Sequence, residues 1–173
     1  MTKPISGFAP IADKSATLLI LGSMPSQVSL ATQQYYAHQR NAFWPIMLRL
    51  LDPDCQATTY GQRTALLLNN DIALWDVLHS CHRTGSLDTA IAMNSIKAND
   101  FKAFFAIHPA INTVCFNGAK AENIYKKTVL PQLNSPFSDL TYFRLPSTSP
   151  AHATMSFQEK LDIWKHAISN DHV

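Results

Sequence analysis

The segment that most constrains the fold is a short apolar run near the amino terminus. Residues 16–22 read ATLLILG, in which four consecutive large aliphatic side chains precede a glycine. A run of this length, without alternation of polar and apolar residues, is typical of a strand that is buried on both faces. Such strands occur mainly in parallel sheets that helices cover on both sides. The chain is therefore expected to supply further strands that pair with this one and helices that cover the sheet.

The rest of the chain alternates between strand and helix patterns. Helices are predicted over 43–51, 99–108 and 119–129, and from the capping box at 156–159 through Ile168. Further strands are predicted over 64–68 together with 72–75, over 111–116 and over 140–145. The polar stretch 23–41 is predicted to be a long loop. This order of elements predicts an α/β fold with a mostly parallel sheet, in a single domain over 1–173.

Composition narrows the classes of protein that remain. The chain has 173 residues, 46% of them hydrophobic, so it can bury a core. Charged residues make up only 15% and the net charge is +2, which excludes a polybasic protein that binds nucleic acid by bulk charge. We expect no transmembrane helix and no signal peptide, because the sequence lacks apolar runs of the required kind. Three cysteines without a Cys-x-x-Cys pair indicate reduced thiols, a cytoplasmic setting and no zinc site.

Polar residues collect after the predicted strands, where a parallel sheet binds its ligands. The segments are 22–26, 35–44, 116–120 and 145–151, with a fifth at 83–86. Residues 22–26, GSMPS, lack the spacing of a phosphate-binding loop and of a hydrolase nucleophile turn. A serine hydrolase that uses Ser23 or Ser26 would also need a His/Asp pattern that the sequence does not show. The pair His79 and His82 has no second ligand cluster, so a solvated position is favoured over a metal site.

Asn41 lies among aromatic residues in the segment 35–44, YYAHQRNAFW. Aromatic faces stack on nucleobases, while amides bind the polar edges of bases or orient water. A serine- and proline-rich loop such as 145–151 can bind phosphates through hydroxyls and main-chain N–H groups. The aromatics also fit core positions or a packed loop, and the serines fit an ordinary loop. The combination permits a pocket for a planar base.

Six segments, which occur in order between residues 21 and 151, carry a family resemblance. They are LGSMPS at 21–26, YYAHQRNAFWP at 35–45, IALWDVL at 72–78, RTGSLD at 83–88, FNGAK at 116–120 and LPSTSPA at 145–151. The chain resembles the uracil-DNA glycosylase superfamily, and within it the hypoxanthine-DNA (DNA-deoxyinosine) glycosylase branch. The mismatch-specific uracil glycosylases are a related branch.

The resemblance implies a three-layer α/β/α sandwich with a four-stranded, mostly parallel sheet. It implies an enzyme whose substrate is DNA containing a deaminated base, and hypoxanthine is the base that is expected. The reaction is hydrolysis of the bond between that base and deoxyribose, as a step of base excision repair. No metal or other cofactor is expected, no membrane is involved, and a monomer is expected.

The resemblance also assigns roles to residues of the base pocket. Asn41 matches the catalytic asparagine, which orients the water against an oxocarbenium-like sugar. Phe43 matches an aromatic that stacks on the flipped base, and Asn117 matches an asparagine that could bond it. Asp76 lies where related branches place a base-reading residue, although a structural cap or a partner for Arg83 fits equally.

Further contacts are implied for the main chain and for the DNA backbone. The turn at Gly22, Ser23 and Met24 would offer N–H groups to the base as negative charge develops on it. The loop 145–151 would hold phosphates, its end would form a wedge in the minor groove, and a few cations such as Arg144 would assist. The residues assigned to DNA binding are Arg40, Lys120, Ser147, Ser149, Pro150, Ala151 and His152.

Three positions depart from the superfamily pattern. Met24 stands where many members have a water-activating Asp or Asn, and Leu145 stands where many have His. Both departures fit the hypoxanthine branch and argue against strong cleavage of uracil. Gln39 replaces a proline that is common before the Arg-Asn pair. The alternatives to a hypoxanthine glycosylase are a mismatch-type uracil glycosylase and a non-catalytic nucleic-acid-binding module of the same fold.

Overall fold

The computed structural model describes residues 4–54, 56–133 and 139–169. Strands in these ranges are β1 (Ile5–Ser6), β2 (Leu18–Gly22), β3 (Ile72–Asp76), β4 (Leu78–Cys81), β5 (Lys97–Ala98), β6 (Thr113–Asn117) and β7 (Thr141–Leu145). The central sheet has the order β3-β2-β6-β7, and all its neighbouring strands are parallel. Every residue of β2, β3 and β6 is buried, which explains their apolar sequences.

Helices cover both faces of this sheet. They are α1 (Gln27–Thr32), α2 (Phe43–Leu51), α3 (Tyr60–Asn69), α4 (Phe101–Ile107), α5 (Ala119–Thr128) and α6 (Phe157–Ser169). The chain moves from β2 to β3 in one direction and from β3 through β6 to β7 in the other. Right-handed crossovers then place α2 and α3 on one face and α4 and α5 on the opposite face. The predicted three-layer α/β/α architecture with a four-stranded parallel sheet is confirmed.

Aromatic contacts hold each helical layer together. Phe43 of α2 contacts Trp164 of α6 edge to face, with 6.0 Å between ring centroids. On the other face Phe101 of α4 contacts Tyr125 of α5 at 5.2 Å, and Trp75 of β3 packs on Phe101 at 5.1 Å. These rings belong to one continuous hydrophobic core.

Strand register places the ends of all four central strands at one edge. Gly22 is level with Asp76 on β3, and Asn117 is level with Leu145 on β7. Because Leu21 pairs with Phe116, the ends of β2 and β6 also coincide. The polar segments that follow these strands therefore meet in space, as the sequence predicted.

Most predicted elements are present, and one is wrong. Residues 64–68 belong to helix α3 rather than to a strand, because Thr59 and Gln62 form a capping box that starts a helix ahead of the apolar run. The predicted long loop 23–41 contains the short helix α1, which Ser26 caps. The capping box at 156–159 is confirmed, since Ser156 N donates to Glu159 Oε2 at 2.7 Å and Glu159 N to Ser156 Oγ at 3.3 Å.

A second sheet was not predicted: β1, β4 and β5 form an antiparallel sheet beside the central one. Cys81 and Cys115 are buried, whereas Cys55 and residues 1–3 lie outside the described ranges. No helix in the described part of the chain is long and apolar enough to cross a membrane.

Candidate active site

The loops that follow the four parallel strands surround a cavity of about 570 Å³. This volume falls within the range of about 300–1,000 Å³ that is usual for small-molecule sites. Its walls come from residues 22–26, from the loop 35–41, from Asp76, from the loop 86–89, from Asn117 and from residues 147–152. Segments far apart in sequence therefore converge on one site at the carboxyl edge of the sheet.

Nearly all the residues predicted from the sequence line this cavity. They are Gly22, Ser23, Met24, Arg40, Asn41, Asp76, Asn117, Ser147, Ser149, Pro150, Ala151 and His152. Two do not: Phe43 is fully buried in the core, and Lys120 lies half-buried in the first turn of α5. The loops thus bring together almost the whole predicted set.

Asp76 ends β3 with its side chain at the inner end of the cavity. It is only 3% exposed, and its Oδ2 makes no hydrogen bond with any described residue. Burial and, secondarily, the nearby Asp88 carboxylate raise the pKa of Asp76, Arg83 opposes them, and the net result is a pKa of about 8. At neutral pH the carboxyl is therefore mainly protonated, so it can both donate and accept a hydrogen bond.

Arg83 is not the hydrogen-bonded partner of Asp76. Its guanidinium donates to three main-chain oxygens, those of Gly85 at 3.0 Å, of Met24 at 3.4 Å and of Pro25. These bonds tie the loop after β2 to the loop 83–88. Arg83 acts on Asp76 through its charge alone, and the carboxyl remains available to a ligand.

Gly22 allows this carboxyl to approach the main chain of β2. A Cβ atom at residue 22 would collide with Asp76 Oδ1 and lie 2.8 Å from the Tyr36 hydroxyl. The adjacent main-chain N–H groups of Ser23 and Met24 donate to no acceptor among the described residues, although both residues are buried. Buried N–H groups are normally paired, so these two are candidate donors to a ligand.

Neither serine of the turn has the partners of a hydrolase nucleophile. Ser23 Oγ donates to Asp88 Oδ1 at 2.5 Å, and Ser26 Oγ bonds Ser29 Oγ at 3.0 Å at the start of α1. A histidine base would have to contact one of these hydroxyls directly. No such contact occurs among the described residues, so the serine-hydrolase alternative is not supported.

Asn41 precedes α2 and faces the cavity with a defined amide orientation. Its Oδ1 accepts from the Phe43 main-chain N–H at 2.9 Å, which identifies the oxygen, and Nδ2 has no acceptor among the described residues. Its own N–H donates to His38 O at 2.8 Å. One oxygen lone pair and both Nδ2 hydrogens are thus free to hold a water or a sugar oxygen.

Thr148 joins three segments of the site, although the sequence did not single it out. Its main-chain N–H donates to Asn117 Oδ1, and its Oγ1 accepts from Asn117 Nδ2, both at 2.8 Å. Its carbonyl oxygen accepts from the Ala42 N–H at 3.0 Å. Thr148 is 1% exposed, so these bonds are shielded from water and fix the position of Asn117 relative to the Asn41 loop.

Tyr36, and not Phe43, presents an aromatic ring to the cavity. Phe43 is 0% exposed beneath Tyr36, and the two rings stack with centroids 4.1 Å apart. The prediction that Phe43 stacks on a base is therefore corrected, because its ring already forms part of the core. Burial, and secondarily the Asp76 charge, raises the pKa of Tyr36, so its hydroxyl stays protonated.

Basic and acidic side chains both line the cavity. The basic residues are His38, Arg40 and His152, and the acidic ones are Asp76 and Asp88. Arg144, which was expected to assist with phosphates, instead pairs its Nε with Glu122 Oε2 at 2.9 Å. Within the described residues, no group of three or more potential metal ligands is present.

Some cavity residues were missed in the sequence analysis. Asp88 and Leu87 lie within the segment RTGSLD at 83–88, whose loop position beside β2 follows only from the tertiary fold. Tyr36 lies in the motif 35–45 next to a second tyrosine, Tyr35. The sequence alone does not indicate which of the two rings faces the ligand. Tyr35 is 3% exposed and fits the packed-loop alternative.

Comparisons with known proteins identify the family of the chain. The family model for the uracil DNA glycosylase superfamily matches residues 9–168. Two curated proteins named hypoxanthine DNA glycosylase, from Methanosarcina barkeri and Methanosarcina acetivorans, are 38% and 37% identical over 115 residues, 66% of this chain and 72% of theirs. A solution NMR structure of a candidate uracil DNA glycosylase from Methanosarcina acetivorans superposes with a TM-score of 0.74 at 31% identity, covering 95% of this chain and 99% of that one. Because the family match spans every loop that lines the cavity, the chain belongs to the uracil DNA glycosylase superfamily.

Proposed function

We propose that the chain is a monofunctional DNA glycosylase that hydrolyses the N-glycosidic bond of a deaminated base, with hypoxanthine as the main substrate. The observation that carries this proposal is the unpaired, buried Asp76 carboxyl in a cavity that Asn41 also lines. Two relatives are named for hypoxanthine, which favours this base over uracil.

Asp76 reads the base through its neutral carboxyl. Hypoxanthine presents an N1–H donor beside the O6 acceptor, and a protonated carboxyl pairs with both, accepting from N1–H and donating to O6. The free N–H groups of Ser23 and Met24 provide further donors to oxygen or ring nitrogen. A neutral carboxyl can carry its proton on either oxygen, so discrimination falls to the main-chain N–H donors, whose hydrogens are fixed: they pair with O6 of hypoxanthine but would face the amino group of adenine. The cavity thereby selects deaminated bases.

Asn41 positions the attacking water. The water oxygen forms a bond to C1′ of deoxyribose, the glycosidic C–N bond breaks, and its electron pair leaves with the base. The water loses one proton and the base gains one, so the products are free hypoxanthine and an abasic site. The free lone pair of Asn41 Oδ1 holds the water, while the neutral Asp76 O–H and the N–H groups of the turn at 22–24 stabilise negative charge on the departing base.

Uracil is the second candidate, because it carries the same N–H and carbonyl edge. Met24 and Leu145 are both buried and replace the polar residues that many superfamily members use. An enzyme without those groups depends more on leaving-group stabilisation inside the cavity. The proposal therefore ranks hypoxanthine above uracil.

In this proposal DNA is held by a few residues around the cavity. Arg40 and the hydroxyls of Ser147 and Ser149, which line the cavity, bind phosphates flanking the extracted nucleotide, and Lys120 of α5 adds a further cation. Few cations are involved, so we expect a modest dependence of binding on salt.

The proposal is tested with oligonucleotides that contain deoxyinosine, deoxyuridine or deoxyxanthosine, in single and double strands, in buffer with EDTA. Wild-type protein should yield alkali-labile abasic strands without added metal. The rate should be highest on the oligonucleotide that contains deoxyinosine. Asn41→Ala should lower single-turnover excision by at least about 100-fold while DNA binding is retained. Retained binding with no excision by the wild type would favour the non-catalytic alternative.

We propose further that the chain acts as a monomer with one domain over 1–173, and that it works in the cytoplasm on chromosomal DNA. Analytical ultracentrifugation of the active fraction, with and without DNA, measures the number of chains.

A further inference from the structure

We propose that Arg83 positions the main-chain N–H groups of Ser23 and Met24 for the base, although Arg83 itself does not touch the base. This inference rests on the proposed function and names a positioning residue for the same reaction. Arg83 is half-buried and is not among the residues that line the cavity. Any effect of Arg83 on the base must therefore pass through the turn at 22–25 or through its charge.

The directions of the two N–H groups follow from the carbonyls that precede them. Gly22 O accepts from the Val77 N–H at 2.8 Å, and Ser23 O accepts from the Leu78 N–H at 3.1 Å. In a planar trans peptide the C=O and N–H bonds point in opposite directions. The N–H groups of Ser23 and Met24 therefore point away from the segment 77–78, which leaves them available to a ligand.

Arg83 holds the next two carbonyls of the same turn. Its Nη1 donates to Met24 O at 3.4 Å, and its Nη2 donates to Pro25 O. The carbonyls of residues 22 to 25 thus all have donors, and Arg83 supplies two of them. Met24 and Pro25 are buried, so removal of the guanidinium would leave two carbonyls unpaired at a cost in free energy. The turn would relax toward water, and the N–H groups before it would move as well.

The guanidinium is itself held in place. Its Nε donates to Gly85 O at 3.0 Å, and the Arg83 main chain forms a bridge with Ile91. Gly85 has a φ of 74°, which glycine adopts without strain, and the turn there brings its carbonyl back to Nε. A planar fork of several donors can hold two carbonyls in fixed directions, whereas the single ammonium of lysine cannot reproduce that geometry.

Arg83 also acts on Asp76 through its charge. This charge lowers the pKa of Asp76, against burial and the Asp88 carboxylate, which raise it. Replacement of Arg83 leaves the other titratable or charged side chains around Asp76 unchanged; they are Tyr35, Tyr36, His38, Arg40, Asp88 and His152. A difference between wild type and an Arg83 variant in the pH dependence of excision therefore reports the charge of Arg83.

The test uses two substitutions that separate the hydrogen bonds from the charge. Arg83→Met removes both, so single-turnover excision of hypoxanthine should fall about 100-fold, while binding to a non-hydrolysable deoxyinosine analogue falls at most about tenfold. Arg83→Lys keeps the charge without the planar fork and should still lose about tenfold in rate. Arg49→Met is the matched control, because Arg49 is exposed on α2, does not line the cavity and should change neither quantity.

The pH profile of excision separates positioning from a purely structural role. Loss of the opposing charge raises the pKa of Asp76 further, so the pH at which excision falls should move upward in Arg83→Met. In Arg83→Lys this pH should stay in place. A structural role would lower the folded fraction, measured by denaturant unfolding, and leave the profile unshifted in both variants. An unshifted profile in Arg83→Met, or equal losses of binding and of rate, would overturn the positioning role.

A binding comparison distinguishes failure of this inference from failure of the proposed function. The fixed N–H donors favour hypoxanthine over adenine. Arg83→Met should therefore lose several-fold of the preference for DNA with the analogue over the same DNA with deoxyadenosine, and Arg49→Met should keep it. An unchanged preference in Arg83→Met would count against Arg83. Absence of base release by the wild type would refute the glycosylase proposal, and this comparison would still decide on Arg83.

Discussion

Replacing Asp76 by asparagine tests whether the carboxyl at the inner end of the cavity works in its neutral form. The substitution keeps the size of the side chain and an oxygen acceptor, replaces the O–H donor by an N–H donor, and removes the titration. An amide pairs with the N–H and carbonyl edge of hypoxanthine in the same way as a neutral carboxyl. We therefore expect Asp76→Asn to retain excision, whereas Asp76→Ala should lose it.

The magnitude follows from the pKa of Asp76. Burial raises it from 3.8 to about 8, so ionisation is about four powers of ten less favourable in the folded protein than in the unfolded chain. Each power of ten corresponds to about 1.4 kcal/mol, so the pKa shift changes the free energy of unfolding by at most about 6 kcal/mol between low and high pH. Because the folded-state pKa is raised, this contribution to stability is fully present below pH 4 and is lost as pH rises through about 8. Water entering the cavity lowers the limit by solvating the carboxylate.

Denaturant unfolding and excision rates across pH 4–9 measure both consequences. Relative to wild type, Asp76→Asn should gain several kcal/mol of unfolding free energy at pH 9 and much less at pH 4. Wild-type excision should fall as pH rises through about 8, while that of the asparagine variant should stay level. A wild-type rate that is constant through pH 9, together with equal stability of the two proteins there, would refute the neutral-carboxyl reasoning.

Substitutions at three further positions test how the site is built. Gly22→Ala should abolish base capture, measured by binding to a non-hydrolysable substrate analogue, because its Cβ displaces the Asp76 carboxyl; tight binding would contradict this. Thr148→Val should destabilise the fold by about 1–3 kcal/mol and slow excision, since Asn117 Nδ2 loses its buried acceptor. Thr148→Ser should restore the rate, and an equally slow serine variant would argue against the hydrogen bond. Phe43→Ala should cost about 3–5 kcal/mol in thermal unfolding as a core substitution, while Phe43→Leu should leave base binding nearly unchanged.

The parallel sheet could be predicted because three of its strands, β2, β3 and β6, are buried on both faces and show no regular polar alternation. Once residues 16–22 are placed in such a sheet, the polar segments after each strand must meet at its carboxyl edge. That rule brought Asn41, Asp76 and Asn117 together without any knowledge of loop geometry. The assignment failed at 64–68, where an apolar run of five residues fits a strand or one face of a helix equally well.

Tertiary packing decided what the sequence left open. Tyr36 and Phe43 are both aromatic and both near Asn41, yet stacking leaves only Tyr36 at the cavity. The role of Thr148 depends on contacts with residues 31 and 106 positions away in the chain, and no local pattern encodes such pairings. The sequence likewise leaves Arg144 available for phosphate binding, whereas in the structure its side chain forms an ion pair with Glu122.

Direct detection of the released base is the measurement closest to the central claim. A duplex with one deoxyinosine is incubated with an excess of protein, and mass spectrometry quantifies free hypoxanthine beside the abasic strand. Wild-type protein should release the two products in equal molar amounts. With Asn41→Ala, their rate of formation should fall at least about 100-fold. Strand cleavage without free hypoxanthine, or no release of base at any protein excess, would contradict it.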